Sequence, residues 1–317
     1  MNTLPSQTRY LDQMTASPAV LPVPDLDEAL GYFVGKLGFR LDRIWPADDP
    51  RVAQISGHDV RFELRLNGEE CPIPDQLPAL SPQLEISRIA DARWGVGRAG
   101  MRYRDLLPGR QGGHFIASHI QIPGRGPVPD QVHFHEVQFQ MIFCYRGRVR
   151  VAYEGQGPPF WMRPGDCVLQ PPTIRHRVLE SDDDLEVIEI GGPAIHVTAA
   201  DHGLSLPTPK TNADRLFGGQ RFVLSRSDQA EWTTRGSLEH RDLGISAATD
   251  GLAEVTLIRG SGPLSARHRG ALLFLFVLEG RLQIGGEQLG AGDSIALPGS
   301  TDGVCDGKVL QVCLPAQ

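Results

Sequence analysis

An internal repeat of short strands restricts this chain more than any other feature. Arg104–Pro123 (RDLLPGRQGGHFIASHIQIP) aligns without a gap on Arg241–Gly260 (RDLGISAATDGLAEVTLIRG). Arg104-Asp105-Leu106 falls on Arg241-Asp242-Leu243, and Phe115–Ile122 on Leu252–Arg259. Both copies then cross a Gly/Pro turn and enter a strand ending at glycine, CYRGRVRV in one and FVLEGRLQI in the other. A Gly-Asp turn, a strand and a proline follow, in RPGDCVLQPP and GAGDSIALPG. Two copies of this length predict duplicated β domains, because a solenoid needs at least three stacked units. Short strands separated by Gly/Pro turns predict a small antiparallel barrel or jelly roll. The 36 Gly and 25 Pro among 317 residues supply those turns and argue against helical bundles.

Ahead of the repeat lies a different pattern. Ala19–Val23 is a short predicted strand. Asp25 is placed to cap a helix, with Glu28 three residues on. Leu26, Leu30, Phe33, Val34 and Leu37 share one helical face, and Gly38 ends it. Predicted strands follow at Phe39–Trp45, Val52–Ser56 and Val60–Leu66, giving the order βαβββ. The helix ending in KLGF and followed by strands resembles one half of a vicinal-oxygen-chelate (glyoxalase and bleomycin-resistance) domain. That superfamily binds metal through a His or Gln on its first strand and a Glu on its fourth. Glu63 lies on the fourth strand, but AVLPV offers no ligand, so the module is expected to be a scaffold or dimerisation piece. The chain therefore divides into a tail (1–16), this half-module (17–67), a Pro-rich linker (68–94) and two repeat domains (95–205 and 206–317).

The first repeat carries the chemistry. Gly126 is followed by His133-Phe134-His135, Gln140 and Gly147, then Pro164-Gly165-Asp166, Pro171-Pro172 and His176. Histidines two apart on a strand point to the same face. Two imidazoles inside a barrel need partners, because buried polar groups must be satisfied. His176 follows a Pro-rich turn that brings it to the same interior. Three neutral imidazoles form a site for Fe(II), Mn(II), Ni(II), Cu(II) or Zn(II).

The same residues resemble the two signature motifs of the cupin superfamily, G-x5-HxH-x3,4-E-x6-G and G-x5-PxG-x2-H-x3-N. In the second motif Thr173 replaces the Gly after Pro172, and His176 lies four residues beyond that proline. The resemblance covers roughly residues 95–317 and implies a mainly β fold of two cupin barrels behind the βαβββ half-module. It also implies a metal site of His133, His135, Gln140 and His176.

Gln140 stands where the family pattern has Glu. A neutral ligand leaves the metal its full charge and makes it a stronger Lewis acid for anionic, chelating substrates. Gln140 either ligates directly or hydrogen-bonds a bound water. Three His without a Glu also resembles ring-cleaving bicupins such as the gentisate dioxygenases. In the second repeat the equivalent positions are Ala266, His268, Leu273 and Gly303, so that barrel is expected to be degenerate and structural.

Strand parity sets Gln140, Ile142 and Cys144 on one face, and Phe139, Met141, Phe143 and Tyr145 on the other. The second face is expected to pack on another domain or subunit. Cys144, Tyr153, Trp161 and Phe115 are expected in the core. Arg175, Arg177 and Glu136 are expected to point outward, and Asp182-Asp183-Asp184 to form a solvated turn. His114 and His119 are placed on the strand before the HxH.

A net charge of -7 argues against a nucleic-acid partner. The longest apolar run, Ala271–Leu278, is too short to span a membrane. The five scattered cysteines and the absence of an apolar leader predict a reducing, cytoplasmic setting. The expected activity is that of a metal-dependent cupin enzyme. Its first reading is a non-haem Fe(II) dioxygenase for a small anionic or aromatic, enolisable metabolite. Zn(II), Mn(II) or Ni(II) would suit a non-redox isomerase, lyase or hydrolase instead, and a non-catalytic binding protein is the third reading. A homodimer is expected.

Overall fold

The computed structural model describes residues 17–315; the expected tail, 1–16, lies outside them. The chain divides into two compact units. One contains residues up to 44 and 50–72, and the other 45–49 and 73 onward.

In the first unit β1 (Ala19–Val23), α1 (Leu26–Phe33), β2 (Arg40–Trp45), β3 (Val52–Gly57) and β4 (Val60–Leu66) follow the expected order. The strands lie in the order β1-β4-β3-β2. β1 runs parallel to β4, with Ala19 beside Phe62 and Val23 beside Leu66. β1 is an edge strand, which tolerates Pro22 and its missing N–H. β3 and β4 form a hairpin around His58 and Asp59, whose φ of 52° and 62° suit a tight two-residue turn. The Asp25 carboxylate accepts from the Glu28 N–H at 2.8 Å and starts α1 as expected. The helix stops at Phe33, one turn earlier than its apolar pattern suggests, and Val34 and Leu37 are exposed. Leu26, Phe39, Ile44, Ala53, Ile55 and Leu64 form the core. Glu63 is held by Gln54 and Arg65.

The second unit is two barrels. In the first, the long strands Phe139–Tyr153 and His176–Gly192 pair antiparallel, and Ile116–Ile122 flanks the latter. In the second, Gly270–Ile284 and Thr301–Pro315 pair in the same way, with Glu254–Ala266 alongside. The barrels exchange strands. Glu85–Ser87, inside the expected linker, pairs with Ser294–Ala296 of the second barrel. Val223–Ser225, inside the expected second domain, pairs with Cys167–Leu169 of the first. The two exchanges are equivalent in register: Ser87 faces Ser294 as Ser225 faces Cys167. A Pro-rich stretch thus holds a strand, because three residues are too few to show a period of two.

Between the barrels lies one continuous core. Phe139, Met141 and Phe143 pack with Phe274, Phe276, Leu310 and Val312, as the second apolar face requires. Phe115 is buried in the same core, and Tyr145 donates its hydroxyl to the Leu278 carbonyl at 3.1 Å. The Asp182-Asp183-Asp184 stretch is not a turn. It lies within the strand His176–Gly192 where the pairing shifts register, and Asp182 is ion-paired with Arg125 and Arg148.

Candidate metal centre in the first barrel

His133 and His135 sit on a three-residue strand flanked by His176 on one side and Thr198–Ala200 on the other. Their shared parity turns both rings inward, while Phe134 turns out under the Arg175 guanidinium at 4.2 Å. His133 and His176 are direct cross-strand neighbours with ring centroids 4.2 Å apart. His135 lies 5.3 Å from His133 and 5.2 Å from His176. All three are buried, and one ligand atom from each falls within 4.8 Å of the others.

The outer nitrogen of each ring is engaged. Nδ1 of His133 donates to the Gln131 carbonyl at 2.7 Å, with Asp130 Oδ1 at 3.5 Å. Nδ1 of His176 donates to the Ile174 carbonyl at 3.0 Å. Nδ1 of His135 meets the Thr198 hydroxyl at 3.0 Å. A carbonyl can only accept, so for His133 and His176 the ring proton sits on Nδ1 and the lone pair on Nε2. Metal-binding imidazoles are oriented in this way, by a hydrogen bond at the nitrogen that does not ligate. The donor set fits a divalent transition metal.

Above the three rings is a cavity of about 80 Å³ with mostly aliphatic walls, among them Ile116, Ile120, Val151, Leu185 and Val187. Its polar lining includes the three His, Tyr153, Gln170, Glu189, His196 and Asp48, and no Lys or Arg lines it among the described residues. Gln140 is buried, and its amide is bonded at both ends. Its Oε1 accepts from Gln170 Nε2 at 3.0 Å, and its Nε2 donates to Glu189 Oε1 at 3.2 Å. Tyr153 extends the chain by donating to Gln170 Oε1 at 2.5 Å. Burial pushes the Tyr153 phenol pKa upward, which keeps it a donor.

Comparisons with known proteins agree with the fold. Residues 120–191 match the cupin domain family model. Oxalate decarboxylase from Bacillus subtilis superposes with a TM-score of 0.52 at 12% identity, covering 77% of this chain and 80% of that one. A formate complex of oxalate decarboxylase from Lactobacillus farciminis superposes with a TM-score of 0.52 at 11% identity, covering 77% and 87%. No curated protein sequence matches. The chain has the two-barrel fold of these proteins, and its first barrel carries the cupin domain match.

Only the first barrel carries a three-His cluster among the described residues. In the second, Ala266 and Leu273 belong to a packed apolar interior with Leu275, Val277, Ile284 and Cys305. Gly303 pairs with Ile284. His268 sits between two strands and accepts from the Gly270 N–H at 3.0 Å.

Most of the remaining side chains lie as strand parity predicts. Tyr153 is core, 2% exposed, and also lines the cavity, stacking on His176 at 5.5 Å. Trp161 is half-buried with Arg148 over its ring. Cys144 is core, and burial pushes its thiol up to about 12. Glu136 is exposed, and Arg175 pairs with Asp201. His119 is buried against Glu186, whereas His114 precedes its strand and reaches the Pro78 carbonyl. No sequence pattern marks Glu189, His196 or Asp48. Glu189 arrives through the pairing of Ile142 with Glu189 between distant strands, and the other two lie on loops.

Proposed function

We propose that the first barrel is a metal-dependent enzyme whose chemistry is non-haem Fe(II) dioxygenation of a small enolisable substrate. The donor set carries the reading: three anchored imidazoles, with a neutral amide where the cupin pattern has a carboxylate. His133, His135 and His176 would hold the metal. Fe(II) would supply redox chemistry and Lewis acidity, whereas Zn(II), Mn(II) or Ni(II) would supply Lewis acidity alone. Gln140 either joins the ligands or, through its bonds to Gln170 and Glu189, orients the carboxylate that faces the cavity. The aliphatic walls exclude water from the reacting atoms. A cavity of about 80 Å³ suits a small metabolite.

A second reading is favoured by Glu189. A carboxylate facing the cavity can move a proton, as a lyase, isomerase or hydrolase needs. The structural neighbours are oxalate decarboxylases. Without a Lys or Arg among the described lining residues, an oxalate dianion would have the metal as its counter-charge. Metal analysis with an O₂-uptake screen over β-diketones, hydroxyketones, gentisate-like acids and catechols separates the readings. Turnover with O₂ uptake supports the first, and anaerobic turnover supports the second. Metal without turnover supports a binding protein. No helix among the described residues is long and apolar enough to cross a membrane. We also read the protein as a cytoplasmic homodimer; its five cysteines are free thiols.

A further inference from the structure

Two buried polar atoms lining the first-barrel cavity have no hydrogen-bond partner among the described residues: Nε2 of His196 and Oδ1 of Asp48. His196 is 4% exposed, and the Asp48 side chain 9%. The polarity of each is set at its other end. Nδ1 of His196 donates to the Pro193 carbonyl at 2.8 Å, so the proton is on Nδ1 and the lone pair on Nε2. Oδ2 of Asp48 accepts from Arg110 at 2.6 Å, so its carboxylate is ionised and Oδ1 only accepts.

Two acceptors on residues that line the cavity thus lack a donor among the described residues. Buried groups of this kind are rare in native proteins, and each calls for an explanation. Arg110 pairs with Asp48 at 2.6 Å and with Asp105 at 3.2 Å, and a neutral donor at Oδ1 adds no further charge to that buried group. One hydroxyl donates one hydrogen bond, so an O–H donor at one acceptor and a bridging water at the other meet both. The His196 ring packs edge-on against His135 at 5.5 Å, so a ligand at His196 adjoins the three-His centre.

We propose that His196 and Asp48 form a hydroxyl-recognition subsite, and that the substrate is a small hydroxylated carbonyl compound. Its carbonyl end faces the three-His centre, and its hydroxyl donates to His196 Nε2 while accepting from a water that donates to Asp48 Oδ1. The inference rests on the metal-enzyme reading above and adds a substrate class to it. Both residues act in specificity, not in the bond-making step.

Calorimetry on the metal-loaded protein with matched probes tests it. The pairs are pyruvate against 3-hydroxypyruvate and acetone against dihydroxyacetone. Each hydroxylated probe should bind about tenfold more tightly than its partner, as expected for one well-placed hydrogen bond to a buried acceptor. In His196→Phe and in Asp48→Ala the preference should fall to within about twofold while metal content holds. If His196→Phe fails to fold, Asp48→Ala carries the comparison. Absence of a hydroxyl preference in the wild-type protein overturns the inference, since water alone then serves these acceptors. A preference that survives in the variants overturns it too. A wild-type protein that takes up no metal overturns the metal-site reading instead, and metal content is measured separately.

Discussion

Arg104 and Arg241 are equivalent residues of the repeat, and each reaches across to the glycine of the other barrel's Gly-Asp turn. Arg241 donates to the Gly165 carbonyl at 2.9 Å, and Arg104 to the Gly292 carbonyl at 2.8 Å. The turns are equivalent as well. Asp166 accepts from the Ser227 N–H at 2.6 Å, as Asp293 accepts from the Ile89 N–H at 2.8 Å. The duplication visible in the sequence is thus also the device that joins the barrels: each copy lends a strand and an arginine to the other.

The two arginines are not equally satisfied, and their substitution should differ. Arg241 also donates to Ser225 and to the Arg226 carbonyl, whereas Nε and Nη1 of Arg104 have no partner among the described residues. A buried charge with full partners is costly to truncate, and one with unmet donors is often replaced at little cost. Arg241→Met should destabilise by about 3 kcal/mol and Arg104→Met by about 1 kcal/mol or less. Urea midpoints of both variants check the order. Equal losses would show that the unmet donors of Arg104 carry no penalty.

His135→Ala should reduce metal content to background, because two imidazoles do not hold a divalent ion against water in this pocket. The wild-type protein should carry one equivalent per chain. His268→Ala should leave that stoichiometry unchanged, since Ala266 and Leu273 are packed in an apolar interior. Plasma emission analysis decides it; two equivalents would refute the single centre.

Gln140→Glu should retain metal yet weaken anionic ligands, because it adds negative charge beside the three imidazoles. It also removes the donor that reaches Glu189 at 3.2 Å and sets two carboxylates together. One of them must then titrate higher in the folded state than unfolded. The penalty is absent below the ordinary carboxyl pKa and complete once pH exceeds the raised folded value. The variant should match wild type at about pH 4 and be about 1–3 kcal/mol less stable at pH 8. A variant as stable as wild type at both pH values would separate Gln140 from Glu189.

The three ligand histidines were legible because parity on one strand and a proline-bounded turn place them with little help from the rest of the chain. The apolar outer face of Phe139, Met141 and Phe143 was legible for the same reason. Gln140 could be set on the inner face, but its partners could not be read. Gln170 and Glu189 meet it through pairings across distant strands. The strand exchange was hidden because Glu85–Ser87 is too short to show a pattern. His196 and Asp48 lie on loops, where no period exists to assign a direction.

Acid should weaken the fold through His119. This ring is buried among Trp94, Tyr145 and Phe276, and its Nε2 donates to Glu186 at 2.6 Å. Burial holds its pKa below the ordinary 6.5, against the pull of Glu186. The unfolded chain then takes up the proton first, so stability falls as pH drops below about 6.5 until the folded value is passed. In His119→Gln this contribution is gone. Its urea midpoint should change less than that of wild type between pH 7.5 and 5.5, and parallel curves would show that His119 is already protonated in the fold.

The first unit should mediate self-association. Val20, Tyr32, Val34, Leu37 and Val60 are all 37% exposed or more, five large apolar side chains in a module of about 50 residues. β1 also ends the strand order β1-β4-β3-β2 and presents an edge. A partner copy would cover both. Light scattering on a chain beginning at Ile73, which keeps the exchanged strand Glu85–Ser87, should report a monomer where the full chain reports a dimer. The shortened chain also loses the Asp48–Arg110 pair, so a point variant is needed beside it. Tyr32→Glu leaves that pair intact and places charge in the exposed apolar patch. It should raise the dimer dissociation constant by at least about tenfold. A shortened chain and a Tyr32→Glu protein that both remain dimeric would place the interface on the barrels.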